Sequence, residues 1–373
     1  MTDLFKEIFK LNVNYNHRVF GLDLMRALAI IFVMLGHGLM LEKVNTNFPW
    51  IKFLDGVELF FVLSGFLIGG ILIKIINSTK ELKLNTIINF WIRRWFRTLP
   101  NYYLVLVLNV IVVYFGLINE NIHLFNWKYL LFLQNFTEPQ MGFFLESWSL
   151  SVEEWFYFLF PIILIITYFI LIKMSRRHIF LVSLLIFLIV PFLLRYFIAS
   201  QIEVDRFWLS VKIYKVVIYR FDGIALGLLA AYVKYWYPNI WYKSRNVSFI
   251  IGITVGYLIL YSNLLPNGMF AKVYLISIQS FAYALLLPKF ESIKTAPTYL
   301  LKPLTHISLI SYSMYLINLS LVAELIRDTY TSTSVYSAWA LYFSFWLVVI
   351  AISTIMYKYY EKPITDLRDR FKK

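Results

Sequence analysis

Residues 57–77 read VELFFVLSGFLIGGILIKIIN, and this run decides the fold class. Only Glu58 and Lys74 in it are ionisable, and they stand near its two ends. An α-helix needs about 20 mostly apolar residues to cross the hydrocarbon of a bilayer. Similar runs recur along all 373 residues, at roughly 22–42, 57–77, 99–118, 151–173, 179–199, 214–236, 247–264, 270–288, 304–326 and 336–358. The composition agrees: 60% of residues are hydrophobic, 15% are charged and the mean hydropathy is +0.69. Soluble domains sit nearer half apolar and a quarter charged. No water-soluble fold of this size hides so much apolar surface, so lipid is the solvent. The run Trp127 to Phe136 is too short to span and reads as interfacial or re-entrant.

The first run follows a polar leader with Lys6, Lys10 and Arg18. It lacks a small-residue cleavage site and contains Arg26 and His37, so it reads as a retained helix. The net charge is +14, which could signal nucleic-acid binding. The basic residues sit between apolar runs, which instead fits lysine and arginine retained in cytoplasmic loops. Alternate loops carry the excess: Lys80 to Arg97, Lys173 to Arg177, Lys243 and Arg245, Lys289 to Lys302, and the tail from Lys358. Loops of the other parity are poorer: Lys43 and Lys52, none from Gly116 to Glu120, then Arg206, and none from Ser262 to Met269. The expected fold is an all-α polytopic membrane helix bundle of about ten transmembrane helices, both termini cytoplasmic. No repeat or linker divides the chain, so residues 1–373 are expected to form one domain with no appended soluble domain. The absence of cysteine excludes disulfides, thiolate metal sites and a cysteine nucleophile.

Charges inside spans cost several kcal/mol and usually face the bundle interior with a task. Arg26 and His37 are eleven residues apart, so they share a face of the first helix about 16 Å apart in height. His37 is the one histidine deep within a span; His17, His123 and His178 fall in loops and His306 at the start of a span. A core imidazole satisfied by a hydroxyl is one reading, and a general base is the other. Glu58 opens the second span on the same face as Gly65, beside Ser64; small-residue packing competes there with ligand approach. Arg94 and Arg97 lie three apart, so both guanidinium groups can reach one phosphorylated ligand, or simply anchor the helix. Trp148 to Glu154 and Tyr157 open a later span from the opposite side, with Ser149 or Ser151 as a plausible N-cap. A helix-dipole role accounts for one of Glu153 and Glu154, not both. Arg220 and Asp222 read as a local ion pair or as a charged pair lining an acceptor site.

Taken in order, these segments resemble the acyltransferase-3 family of membrane O-acyltransferases, which modify surface glycans. Gly21 to His37 is similar to its arginine, ten residues, histidine signature. Phe60 to Phe66 is similar to Phe-Phe-x-x-Ser-Gly-Phe, and Arg94 to Pro100 to Arg-x-x-Arg-x-x-Pro. Trp148 to Glu153 looks like Trp-Ser-Leu-x-x-Glu, with Tyr157 following, and Arg220 to Gly227 looks like Arg-x-Asp-Gly. Ser311 to Leu316 and Glu361-Lys362-Pro363 look like its C-terminal features. The family often has a histidine shortly after Ser-Tyr-x-x-Tyr-Leu, where this chain has Asn318.

The resemblance implies a donor acyl-CoA, with acetyl as the group, no metal, and a surface polysaccharide or its lipid-linked precursor as acceptor in a bacterial cytoplasmic membrane. His37, Glu153 and Arg26 are then the expected catalytic residues. Arg94, Arg97, Ser64 and Gly65 are expected to bind the donor, and Glu58, Trp148, Tyr157, Arg220 and Asp222 the acceptor. General-base catalysis and an acyl-histidine intermediate both remain open. A transporter or flippase is the alternative; its expected mark, repeated or broken helices in matching positions, is not visible. A membrane assembly factor without chemistry fits the clustered His, Arg and Glu residues less well.

Overall fold

The computed structural model describes residues 9, 11, 13–41, 55–78, 84–201, 209–262, 268–330 and 334–368. Ten long helices run through them: α1 (Phe20–Gly38), α2 (Gly56–Ser78), α3 (Leu84–Tyr114), α4 (Ser147–Ile170), α5 (Arg176–Gln201), α6 (Phe221–Trp236), α7 (Arg245–Ser262), α8 (Phe270–Ser292), α9 (Thr298–Thr329) and α10 (Val335–Leu367). Eight are long and apolar enough to cross a bilayer; α6 and α7 are shorter. The chain is therefore an all-helical polytopic membrane bundle. Lys6, Lys10, Lys43, Lys52, Lys80, Lys83 and Arg206 of the charge reading lie outside the described residues, as does the tail beyond Arg368.

Contacts between helix ends define two levels. At one end, the free N–H groups of Phe20 and Gly21 bond the carbonyls of Lys294 and Ile293 at 3.3 and 2.8 Å. A Cβ at Gly21 would sit 1.7 Å from the Phe290 carbonyl oxygen, so only glycine permits this contact. Lys234 at the end of α6 pairs with Glu291 at 3.4 Å, and Trp241 donates to the same carboxylate. The start of α1, the end of α6 and the end of α8 thus share the lysine-rich level read as cytoplasmic. At the other level, Asn135 donates to the carbonyls of Trp148 and Lys215 at 2.9 and 2.7 Å, and Val217 N–H donates to Asn135 O. The starts of α4 and α6 meet there.

Local sequence explains the ends. Asp55 caps α2 by accepting from Glu58 N–H at 2.9 Å. Ser334 and Ser337 cap α10 reciprocally. Two expectations change. The third helix starts at Leu84, not near residue 99, so Arg94 and Arg97 lie inside it, about 15 and 20 Å from its start. The polar stretch before residue 99 lowered its hydropathy, and tertiary packing overrides that. The fourth helix starts at Ser147, so Ser149 and Ser151 lie within it and are not caps. The segment 127–136 does not span. It forms a short 3₁₀ turn, Trp127–Leu131, laid over α3 and α4: Tyr102 donates to Tyr129 O, and Trp155 to Phe132 O. Turns of π-helix at Phe270–Tyr274, Asn318–Ala323 and Tyr357–Glu361 loosen α8, α9 and α10. Nothing in the hydropathy pattern marks them.

Candidate functional site

A cavity of about 140 Å³ opens between α1, α2, α3, α4 and α9. Arg26, Ser64, Arg94, Arg97, Ser149 and Glu153 face it, with Tyr312 and Tyr315 on the α9 side. Five segments distant in sequence thus contribute to one site. Each charged side chain is there because its own helix carries an apolar face elsewhere, toward lipid or the core.

Within this site, Tyr157 holds Arg94. Its hydroxyl accepts from Arg94 at 2.6 Å, its ring lies 4.2 Å from the guanidinium carbon, and it also bonds Ser64. Arg97 forms no ion pair or hydrogen bond among the described residues. Among the described residues Arg26 has only Asp23, at 3.7 Å, and that carboxylate is already taken by Arg18 at 2.5 and 2.6 Å and by Ser308 at 3.0 Å. Three guanidinium groups and the Glu153 carboxylate line the cavity, an excess of cationic side chains on its wall that suits an anionic ligand, while Asp23, Glu154 and Glu361 act on those arginines from behind it.

His37 is not among the residues lining this cavity. It lies near the far end of α1, about 25 Å from the helix start. Its Nδ1 is 2.5 Å from Oδ1 of Asn318, at the π turn of α9. Tyr315 links the two places: its ring faces the cavity, and its carbonyl oxygen accepts from Asn318 Nδ2 at 2.7 Å. Its hydroxyl reaches Ser149 at 2.7 Å and the Glu146 carbonyl at 3.0 Å. Glu146 in turn accepts from the Ser320 N–H and hydroxyl, which secures the π turn. Outside the spans, burial pushes the Glu120 carboxyl up to about 7, against the Phe144 N–H that it accepts. Burial likewise pulls the Lys215 ammonium down, with Asp55 opposing.

Five of the residues expected to bind donor or acceptor sit elsewhere. A Cβ at Gly65 would meet the Ile224 carbonyl oxygen at 1.9 Å, so Gly65 is the close contact of α2 with α6 and not a ligand surface. Glu58 and Arg220 are 0% and 1% exposed and pair with each other; Ser280 bonds Glu58, and Arg220 bonds the Tyr214 carbonyl. Asp222 pairs not with Arg220 but with Arg195, at 2.7 and 3.0 Å, and with Ser277 at 2.5 Å. Trp148 sits with its ring 5.5 Å from Arg220 and edge-on to Phe61. The Glu58 and Asp222 carboxylate oxygens are bonded by other buried groups, which holds these helices in register. Tyr157 holds Arg94. Sequence reasoning passed over Arg195, Glu146 and the pairing of Asn318 with His37. Arg195 was visible as a charge inside an apolar run; the other two depend on long-range contacts that spacing does not encode.

The acyltransferase domain family model matches residues 19–358. The peptidoglycan O-acetyltransferase OatA of Listeria monocytogenes is 33% identical over 165 residues, covering 39% of this chain and 24% of that protein. A Staphylococcus aureus (strain COL) protein provisionally named an O-acetyltransferase is 35% identical over 160 residues, again 39% and 24%. YrhL of Bacillus subtilis, provisionally named a peptidoglycan O-acetyltransferase, is 32% identical over 183 residues, 44% and 26%. The chain spans about a quarter of the length of these relatives. No solved structure matches. With the family model covering nearly all of the helical bundle just described, the chain belongs to the acyltransferase-3 family.

Proposed function

We propose that this protein is a membrane O-acetyltransferase, moving an acetyl group from cytoplasmic acetyl-CoA to a hydroxyl of a cell-envelope glycan. The observation that carries this reading is the cavity faced by Arg26, Arg94 and Arg97 together with Glu153. Its cationic wall suits the phosphates of CoA. A cavity of this size is smaller than the 300–1,000 Å³ of a typical ligand site, so the thioester arm enters and the nucleotide stays at the mouth. The OatA relative's name suggests peptidoglycan as the glycan class.

In this mechanism His37 accepts the acceptor's hydroxyl proton on Nε2 as the oxygen bonds the thioester carbonyl carbon. The carbon–sulfur bond then breaks, and the proton returns to the leaving thiolate. Glu153 orients the sugar, and Arg26, about 16 Å below His37 on the same helix, orients the donor. The test uses radiolabelled acetyl-CoA, the purified protein in lipid nanodiscs and soluble glycan fragments. His37→Ala should lose transfer while remaining folded and inserted; normal transfer by that variant removes the mechanism.

A further inference from the structure

We propose that Asn318 fixes the tautomer of His37: its amide oxygen requires the proton on Nδ1 and so leaves Nε2 as the free base. Asn318 is fully buried, and its Nδ2 donates to the carbonyls of Met314 at 3.0 Å and Tyr315 at 2.7 Å. These bonds consume both hydrogens of the amide and fix which way it faces. Reversing it would set its oxygen against two carbonyl oxygens. Oδ1 can only accept, so the His37 nitrogen 2.5 Å away must be the donor. A neutral imidazole has one N–H. With that hydrogen on Nδ1, Nε2 keeps its lone pair, and Nε2 has no hydrogen-bond partner among the described residues.

The backbone explains why an asparagine can do this. At the π turn Asn318–Ala323 the helical ladder widens, and Glu146 takes up both Ser320 donors, one of them the backbone N–H. The side chain of Asn318 then folds back on the preceding turn and still reaches α1. A neutral amide orients the ring without bringing a counter-charge. Asn318 is a positioning residue; it acts through His37. The inference rests on the reading of His37 as general base.

Nitrogen-15 spectra of histidine-labelled protein in nanodiscs, with His37→Gln to assign the resonances, read the tautomer directly. The hydrogen should be found on Nδ1, and Asn318→Leu should redistribute it to Nε2. A hydrogen on Nε2 in the parent protein, or a distribution unchanged in Asn318→Leu, overturns the proposal. In acetyl transfer, Asn318→Leu should lower kcat by about 10²-fold, the scale of a general base, with KM for acetyl-CoA unchanged. Asn318→Asp keeps an acceptor opposite Nδ1 and should recover part of that loss. Equal losses in both variants accompanied by a raised KM would mean a structural role only. If His37→Ala is inactive but Asn318→Leu is not slowed, the general base stands and this inference fails. If His37→Ala transfers normally, the general base fails while the spectra still decide the tautomer.

Discussion

Arg97 is the cleanest probe of the proposed donor site: no hydrogen bond or ion pair ties it into the fold among the described residues, and the buried Glu361 carboxylate acts on it at longer range. Its guanidinium faces the cavity and forms no ion pair or hydrogen bond among the described residues, whereas Arg94 is also tied to Tyr157. A charge-assisted bond to a phosphate contributes roughly 1.5–3 kcal/mol. Arg97→Ala should therefore raise the KM for acetyl-CoA about tenfold to a hundredfold, with little change in kcat or in melting temperature. Steady-state kinetics at fixed glycan decide it; a fall in kcat at constant KM would move Arg97 from binding to chemistry. That these arginines come together on one cavity wall was legible in the sequence. Arginines inside or beside apolar runs are costly, and a spacing of three puts two of them on one side of a helix. The same rule singled out Glu58, Arg220 and Asp222, which the fold pairs with other buried charges. A charge satisfied by another buried charge looks identical in sequence to one waiting for a ligand, and only the partner, 162 residues away for Glu58, tells them apart.

Between elements, the tightest contact is that of α2 with α6. The two helices run parallel, with Gly65 against Ile224 and Gly227, and Gly69 against Leu228 and Ala231. Backbones approach this closely where small residues line the contact. A Cβ at Gly65 would lie 1.9 Å from the Ile224 carbonyl oxygen, and one at Gly227 2.0 Å from that of Val62. Backbone cannot swing aside, so the helices must part, which would also strain the Glu58–Arg220 pair between them. Overpacking costs about 1–3 kcal/mol, and more where the obstacle is backbone. Gly65→Ala should lower the melting temperature of the detergent-solubilised protein by several degrees. Gly70→Ala, on the same helix with nothing within 4 Å, should leave it unchanged. Equal melting of the two variants would contradict the contact. The sequence did offer Gly65 as either a packing or a ligand residue. It could not choose, because a glycine's use lies in what approaches it.

For the whole molecule, the open matter is whether α6 and α7 cross the bilayer with the other eight helices. At 16 residues, α6 is about 24 Å long, short of a hydrocarbon thickness of about 30 Å. Its ends nevertheless lie at opposite levels. Its first residues adjoin the Asn135 and Trp148 cluster, through Val217 N–H, and its last turn reaches Glu291 through Lys234. The next helix begins beside the same level, where Lys289 donates to Asn246 at 2.8 Å. The 3₁₀ turn before α6 and the short helix Pro238–Lys243 after it extend the element at each end. Ten crossings put Lys243 in the cytoplasm; eight would return residues 221–262 to the outside. Either even number leaves both termini on one side, which is why the charge pattern is read for orientation without deciding the count. The chain has no cysteine, so one introduced thiol is the only thiol present. A membrane-impermeant maleimide should label Lys128→Cys in intact cells, but Ser175→Cys and Lys243→Cys only after permeabilisation. Labelling of Lys243→Cys from outside would reduce the crossings to eight. It would also break the argument that α6 descends beside α2, and with it the route by which the Glu58–Arg220 and Arg195–Asp222 pairs brace the wall behind the arginine cavity.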